Sequence, residues 1–189
     1  PAQNLMIAVA TGTAVGVNAL LSKSLGEKNF KRANSVAENG VLLAFVGFVI
    51  FLAFGLFGTG AFIRSQTDVK EIIDYGSEYL TVCCCFSFGI FGQIVFERLM
   101  QATGRTFYTL ITQGVGAIVN IILDPIMIFG MNMGVTGAAI ATVIGQIVAM
   151  CIPVIKIVKA KDNLDIKVFF QKGFRVKKQI ITPILQVGL

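Results

Sequence analysis

The chain of 189 residues is 55% hydrophobic and 14% charged, carries a formal net charge of +6, and contains neither Trp nor His. A mean hydropathy of +0.79 excludes a water-soluble domain, and the apolar residues gather in charge-free runs of about 20, the length of a membrane-spanning helix. The runs lack the period-two alternation of a transmembrane β-barrel, and the basic residues fall between them, where the positive-inside rule puts them rather than in a nucleic-acid patch. The sequence therefore predicts an all-α, polytopic transmembrane helical bundle whose surroundings are the lipid bilayer, with no nucleic-acid partner. It has no initiator Met, starts inside one apolar run and stops inside another, and reads as a fragment.

The first predicted span, 1–21, is free of charge, with Asn4, Thr11 and Asn18 recurring at sevens and Gly12 and Gly16 in a GxxxG spacing. Two readings of that polar face stand together: interhelical packing, and the lining of a polar cavity. In the loop 22–35, Lys23, Lys28, Lys31 and Arg32 outweigh Glu27, so it is expected on the cytoplasmic side. The second span, 40–63, is rich in Phe and reads as lipid-facing, with no chemistry of its own. Residues 64–78 balance their bases with Asp68, Glu71, Asp74 and Glu78 and belong outside. The third span, 79–96, contains Cys83, Cys84 and Cys85 in succession. Neighbouring side chains on a helix point about 100° apart, so these cysteines read as packing residues, not as a metal site or a disulfide framework. Glu97 and Arg98 read as interfacial charges, with a cytoplasmic gate as the second reading of Glu97.

The fourth span, 106–129, places one carboxylate and one proline in an otherwise apolar run, NIILDPIMIFG at 120–130. An intramembrane acid costs about 2.5–3.5 kcal/mol on insertion scales and is normally paired, protonated or turned toward a polar cavity. Pro125 cannot donate to the carbonyl of Ile121, so a helix kink with a freed carbonyl is expected beside Asp124, and Asn120 lies one turn earlier on the same face. The three oxygens would form a nest for a small cation or a proton. A buried acid satisfied by a neighbouring helix is the other reading. Gln113, Gly116 and Ala117 continue the stripe.

A short turn at 130–134 then forces the fifth span, 135–155, to run antiparallel beside the fourth. Gly137, Ala141, Gly145 and Ala149 lie at successive fours for close packing, with Thr142 and Gln146 alongside, so Thr142 joins the candidate site and Gln113 and Gln146 are candidate cavity residues. Residues 156–178 form the strongest basic run and are expected inside, either lying on the anionic inner leaflet or as a solvated linker. A new apolar stretch begins at Ile180. In all, about five spans plus the start of another are expected. With no His and a single intramembrane acid, the chain shows no set of groups for an enzyme.

Four stretches, GVNALLSKSLGEKNFKRAN at 16–34, ERLMQATGRT at 97–106, NIILDPIMIFG at 120–130 and MGVTGAAIATVIGQ at 133–146, resemble in order and spacing the multidrug and toxic compound extrusion (MATE) family of secondary transporters. The resemblance implies a two-lobe transporter of twelve helices. It assigns 1–155 to helices two to six of the N-terminal lobe, 156–178 to a cytoplasmic linker between lobes, and 179–189 to the first helix of the C-terminal lobe. It further implies an antiporter in a cell membrane, working as a monomer with its own second lobe. Such a protein exports small organic, often cationic, compounds in exchange for sodium or protons, with no cofactor. Asn120, Asp124 and Thr142 match the family's cation-binding group, so sodium is the metal implied there. Alternatives are a lipid-linked saccharide flippase of the same superfamily, whose anionic cargo would call for Arg or Lys inside the spans, and a cation channel.

Overall fold

The computed structural model describes residues 2–159 and 178–188. Its helices run in the order α1 (Ala2–Gly26), α2 (Phe30–Phe57), α3 (Thr59–Arg64), α4 (Lys70–Cys85), α5 (Phe88–Ala102), α6 (Thr106–Pro125), a π-helical turn (Ile126–Gly130), α7 (Gly134–Lys159) and α8 (Lys178–Gly188). Four helical segments are long and apolar enough to cross a membrane, and five if α4 and α5 form one bent span. The expected helical membrane bundle is thus observed, with different boundaries.

The first difference concerns the basic loop 22–35, which is nearly all helix. α1 continues to Gly26 and α2 starts at Phe30, so the loop reduces to Glu27, Lys28 and Asn29. Lys28 takes the left-handed conformation (φ 54°) that stops α1. Asn29 then caps α2, its Oδ1 accepting from the backbone N–H of Arg32 at 3.1 Å. Charge density in 22–35 hid this short turn, because lysines extend helices as readily as they fill loops. At its far end the expected span 40–63 divides into α2 and the short α3, separated at Gly58.

The third span is broken. α4 and α5 meet at an angle of 47°, and around the joint Ser87 N–H bonds Cys84 O and Gly89 N–H bonds Phe86 O, both at 3.2 Å and three residues apart. Sharp helix bends fall at Gly/Ser pairs, and Ser87 and Gly89 supply one here. Cys83 and Cys84 are buried packing residues, as expected. A Cβ on Gly55 of α2 would lie 2.7 Å from Cys84 Cβ, so the two helices nearly touch there.

One face of α1, carrying Met6, Ala10, Ala14, Val17 and Leu21, forms the core with Ala33, Val36 and Ala37 of α2 and Phe91, Val95, Leu99 and Met100 of α5. The steps of three and four on α1 are those of one helix stripe. α8 packs on α1 and α2, with Gly16 of α1 directly under the backbone of Ile184. The predicted stripe of α7 is buried at Gly137, Ala141, Gly145 and Ala149. It meets α6 in antiparallel register: a Cβ on Gly116 would lie 3.3 Å from Ala149 Cβ, one on Gly145 2.9 Å from Asn120 Oδ1, and one on Gly137 2.9 Å from Met127 O. The tight turn between the helices uses Asn132 (φ 57°) and Gly134 (φ 54°). Most of the expected linker, 160–177, lies outside the described residues.

Candidate functional site

Between α1, α5, α6 and α7 lies a cavity of about 340 Å³ lined by Ile7, Ile90, Gln93, Ile94, Glu97, Gln113, Gly116, Ala117, Asn120, Thr142, Gly145 and Gln146. Its polar residues come from three helices. α6 turns Gln113 and Asn120 toward it at a spacing of seven, and α7 approaches closely enough to add Thr142 and Gln146 because Gly145 has no side chain. Asn120 Oδ1 is buried with no hydrogen-bond partner among the described residues. Thr142 Oγ1 donates to Ala138 O at 2.9 Å, which leaves the lone pairs of its oxygen to accept or coordinate.

Asp124 stands one turn further along α6, half-buried, and is not part of that wall. Its Oδ1 is also buried and has no hydrogen-bond partner among the described residues. The phenol of Tyr79 on α4 lies close enough to interact electrostatically with Asp124, and donates to Gln3 Oε1 of α1 at 3.3 Å. Ser87 Oγ and, on α6 itself, Thr109 Oγ1 are likewise buried without a partner among the described residues, and the oxygens of Asn120 and Asp124 differ from these in lying on successive turns of one helix. The Asn120 and Asp124 oxygens keep lone pairs free to accept a hydrogen bond or to coordinate.

Pro125 closes α6, and the helix carries on as the π turn Ile126–Gly130 within a single 25-residue span. Ile126 N–H bonds Leu123 O, and Met131 N–H bonds Ile126 O at 2.9 Å across five residues. The backbone accommodates the proline by widening its ladder directly after Asp124. π turns recur at functional positions in helices.

Of the remaining sequence candidates, Gln113 and Gln146 line the cavity. Asn4 is exposed, Thr11 and Asn18 are half-buried, and α1 contributes Ile7 in their stead. The residue that sequence reasoning misplaced is Glu97. Its first reading is an interfacial charge and its second a cytoplasmic gate; the first fails, because Glu97 is 6% exposed and accepts from Gln93 Nε2 at 3.0 Å and from Gln113 Nε2 at 3.3 Å. The signal that could have found it is the i, i+4 pair Gln93 and Glu97, which puts two polar groups on one face of an apolar helix.

A bundle of long apolar helices with a polar cavity between four of them is the architecture of a multi-pass membrane protein. The MatE family model matches residues 1–126, and the chain belongs to that family. The chain is 26% identical over 192 residues to the probable multidrug resistance protein YoeA of Bacillus subtilis (strain 168), an alignment that covers 98% of this chain and 41% of that protein. It also superposes with a TM-score of 0.90 and 25% identity on the inward-facing conformation of a multidrug resistance MATE family transporter of the MOP superfamily, covering 97% of this chain and 41% of the other. The outward-facing conformation gives the same TM-score and identity, with 97% and 40% covered. The chain thus spans about two-fifths of the length of these relatives.

Proposed function

We propose that this chain forms one lobe of a secondary antiporter that exports small organic, chiefly cationic, compounds in exchange for sodium or protons, with Asp124, Asn120 and Thr142 as the coupling group and sodium as the candidate metal. The observation that carries this reading is the pair of buried oxygens, Asn120 Oδ1 and Asp124 Oδ1, that have no hydrogen-bond partner among the described residues. Binding of a proton or a sodium ion neutralises Asp124. If two arrangements of the lobes solvate that carboxylate differently, its neutralisation biases the equilibrium between them. The equal likeness of this segment to inward-facing and outward-facing structures supports a motion in which it rocks as a unit.

The flippase alternative calls for fixed positive charge to hold an anionic cargo, and the cavity wall contains no Arg or Lys. No residue pattern calls for catalysis, and the antiporter reading places the protein among carriers rather than enzymes. Efflux of an organic cation from vesicles containing the full-length protein should follow an imposed sodium or proton gradient and saturate with cargo. Single-channel currents would replace the carrier by a pore, and gradient-independent efflux would remove the coupling.

The orientation we propose is cytoplasmic for the ends of the helices near 22–35 and for 156–178, in a plasma membrane. Contacts define the two ends of the bundle. Glu78 accepts from Thr136 Oγ1 at 2.9 Å at one end, and Lys156 Nζ lies 5.0 Å from the ring centroid of Tyr108 at the other. The second end gathers Lys23, Lys28, Lys31, Arg32, Arg105, Lys156 and Lys159, an excess of base. In a cysteine-free background, Gln66→Cys should react with an impermeant thiol reagent added outside, and Glu27→Cys only after permeabilisation; both positions are exposed. The reverse pattern would invert the topology.

A further inference from the structure

Apart from the polar cavity, the bundle holds a second one of about 340 Å³, and every residue that lines it is apolar. α2 and α7 both pack on α5, and the groove is the space left along α5 between them. Its floor is Phe91, Val95 and Phe96 of α5, all buried. Val41 and Phe45 of α2 form one wall, and Met150 and Val154 of α7 the other. Gly92 deepens the floor because it has no side chain: a Cβ there would run into the thioether of Met150. On the rim, Phe45 is 60% and Phe88 40% exposed, and on helices that cross a membrane such exposure is to hydrocarbon. The groove therefore opens to lipid. From Phe88 to Phe96 it follows α5 for about 12 Å. Left empty, a void of this size deprives its lining of the dispersion contacts of a filled interior.

The groove also has a direction. At one end Phe48 and Phe88 meet edge to ring, with centroids 6.3 Å apart. At the other, Val41, Phe96 and Val154 lead toward the basic end of the bundle, where α2 starts at Phe30 and where α5 and α7 finish at Ala102 and Lys159. Lys31 stands about 15 Å beyond Val41 along the helix axis and Lys159 about 8 Å beyond Val154. Both lysines are exposed, and neither has an ion-pair partner among the described residues. The acids at this end leave the excess positive: Glu27 lies 3.9 Å from Arg32 Nη1, and Glu38 is half-buried one turn before Val41.

We propose that the groove is a binding site for an anionic phospholipid of the leaflet on the basic side, with one acyl chain along Phe91 and Val95 and the headgroup phosphate meeting Lys31 and Lys159. The two halves of the site act differently. The hydrocarbon fit is indifferent to the headgroup, so the groove alone accepts any lipid of that leaflet, and the lysines supply the attraction that selects an anionic one. A chain seated there touches α2, α5 and α7 together, and a ligand that binds only the folded state stabilises it. Neither the exported compound nor the coupling ion enters this site, so its test is independent of the export reading.

The test is native mass spectrometry of the purified full-length protein released from detergent, titrated with phosphatidylglycerol and phosphatidylcholine that carry identical palmitoyl and oleoyl chains. The wild type should hold one phosphatidylglycerol about tenfold more tightly than phosphatidylcholine, from the attraction of two lysines. Lys31→Gln combined with Lys159→Gln should bring phosphatidylglycerol down to the level of phosphatidylcholine and leave the latter unchanged; both positions are exposed, so the fold is not at stake. Gly92→Leu fills the groove with its own carbons and the displaced Met150, and Val154→Phe fills it from the wall; each should lose both lipids. Melting temperature and gel-filtration profile identify the folded variants. Equal affinity of the wild type for the two lipids overturns the proposal. So does wild-type affinity for phosphatidylglycerol in the double lysine variant, or in either folded groove variant, the last outcome placing the lipid on the basic surface alone.

Discussion

On the proposed antiporter reading, Asp124→Asn in the full-length protein should insert and fold, yet lose all transport driven by an ion gradient. The substitution keeps the side chain's volume and leaves an amide oxygen where the orphaned Oδ1 now lies. It therefore disturbs packing little. What it removes is the alternation between charged and neutral states. An Asn at this position resembles the neutralised carboxylate permanently, so the variant resides in whichever lobe arrangement neutral Asp124 favours and no longer responds to sodium or protons. Binding of an organic cation in the cavity should survive, because Asp124 is not part of its wall. Asn120→Ala and Thr142→Ala should be milder, lowering ion affinity while leaving residual transport, since each removes one neutral oxygen and keeps the charge. The measurement is gradient-driven efflux from reconstituted vesicles, with melting temperature recorded for every variant. Transport at the wild-type rate and with unchanged ion dependence in folded Asp124→Asn would make the carboxylate structural.

The sequence made the α6 and α7 half of this site readable, and the reason is geometric. A short connection, a stripe of small residues at fours on α7 and a polar stripe on α6 leave one way for the two helices to meet, and Gly145 against Asn120 is where they do. Asn120 and Thr142 could therefore be paired without coordinates. Asp124 was legible as a costly charge, but its separation from the cavity was not. Which turns of α6 line the cavity is set by how the neighbouring helices pack on it, and spacing along the chain does not encode that. Glu97 was misplaced because its neighbour Arg98 and the end of an apolar run looked like a membrane boundary. In the structure α5 carries on to Ala102, and Gln113 reaches across from α6. The break at Ser87 has a signal, Gly89 two residues on, but a Ser and a Gly within an apolar run also occur in straight helices, and only tertiary packing distinguishes the two cases.

Gly145→Leu should be severely damaging to the α6–α7 pair. A Cβ at this position would lie 2.9 Å from Asn120 Oδ1 and 3.1 Å from Gly116 O. The first neighbour is a side chain that can rotate away, at the loss of the site's geometry. The second is backbone and cannot, so α7 must move off α6. Forcing extra carbons into a packed interface costs about 1–3 kcal/mol, and here the displacement also withdraws Thr142 and Gln146, which line the cavity on the same helix. Gly114→Leu is the matched control: it lies on α6, within the same polar segment, and a Cβ there meets nothing within 4 Å. In the full-length protein Gly145→Leu should lower the melting temperature by several degrees and abolish efflux, whereas Gly114→Leu should leave both near wild type. If the two variants behave alike, the close approach of α6 and α7 at Asn120 is not what shapes the site.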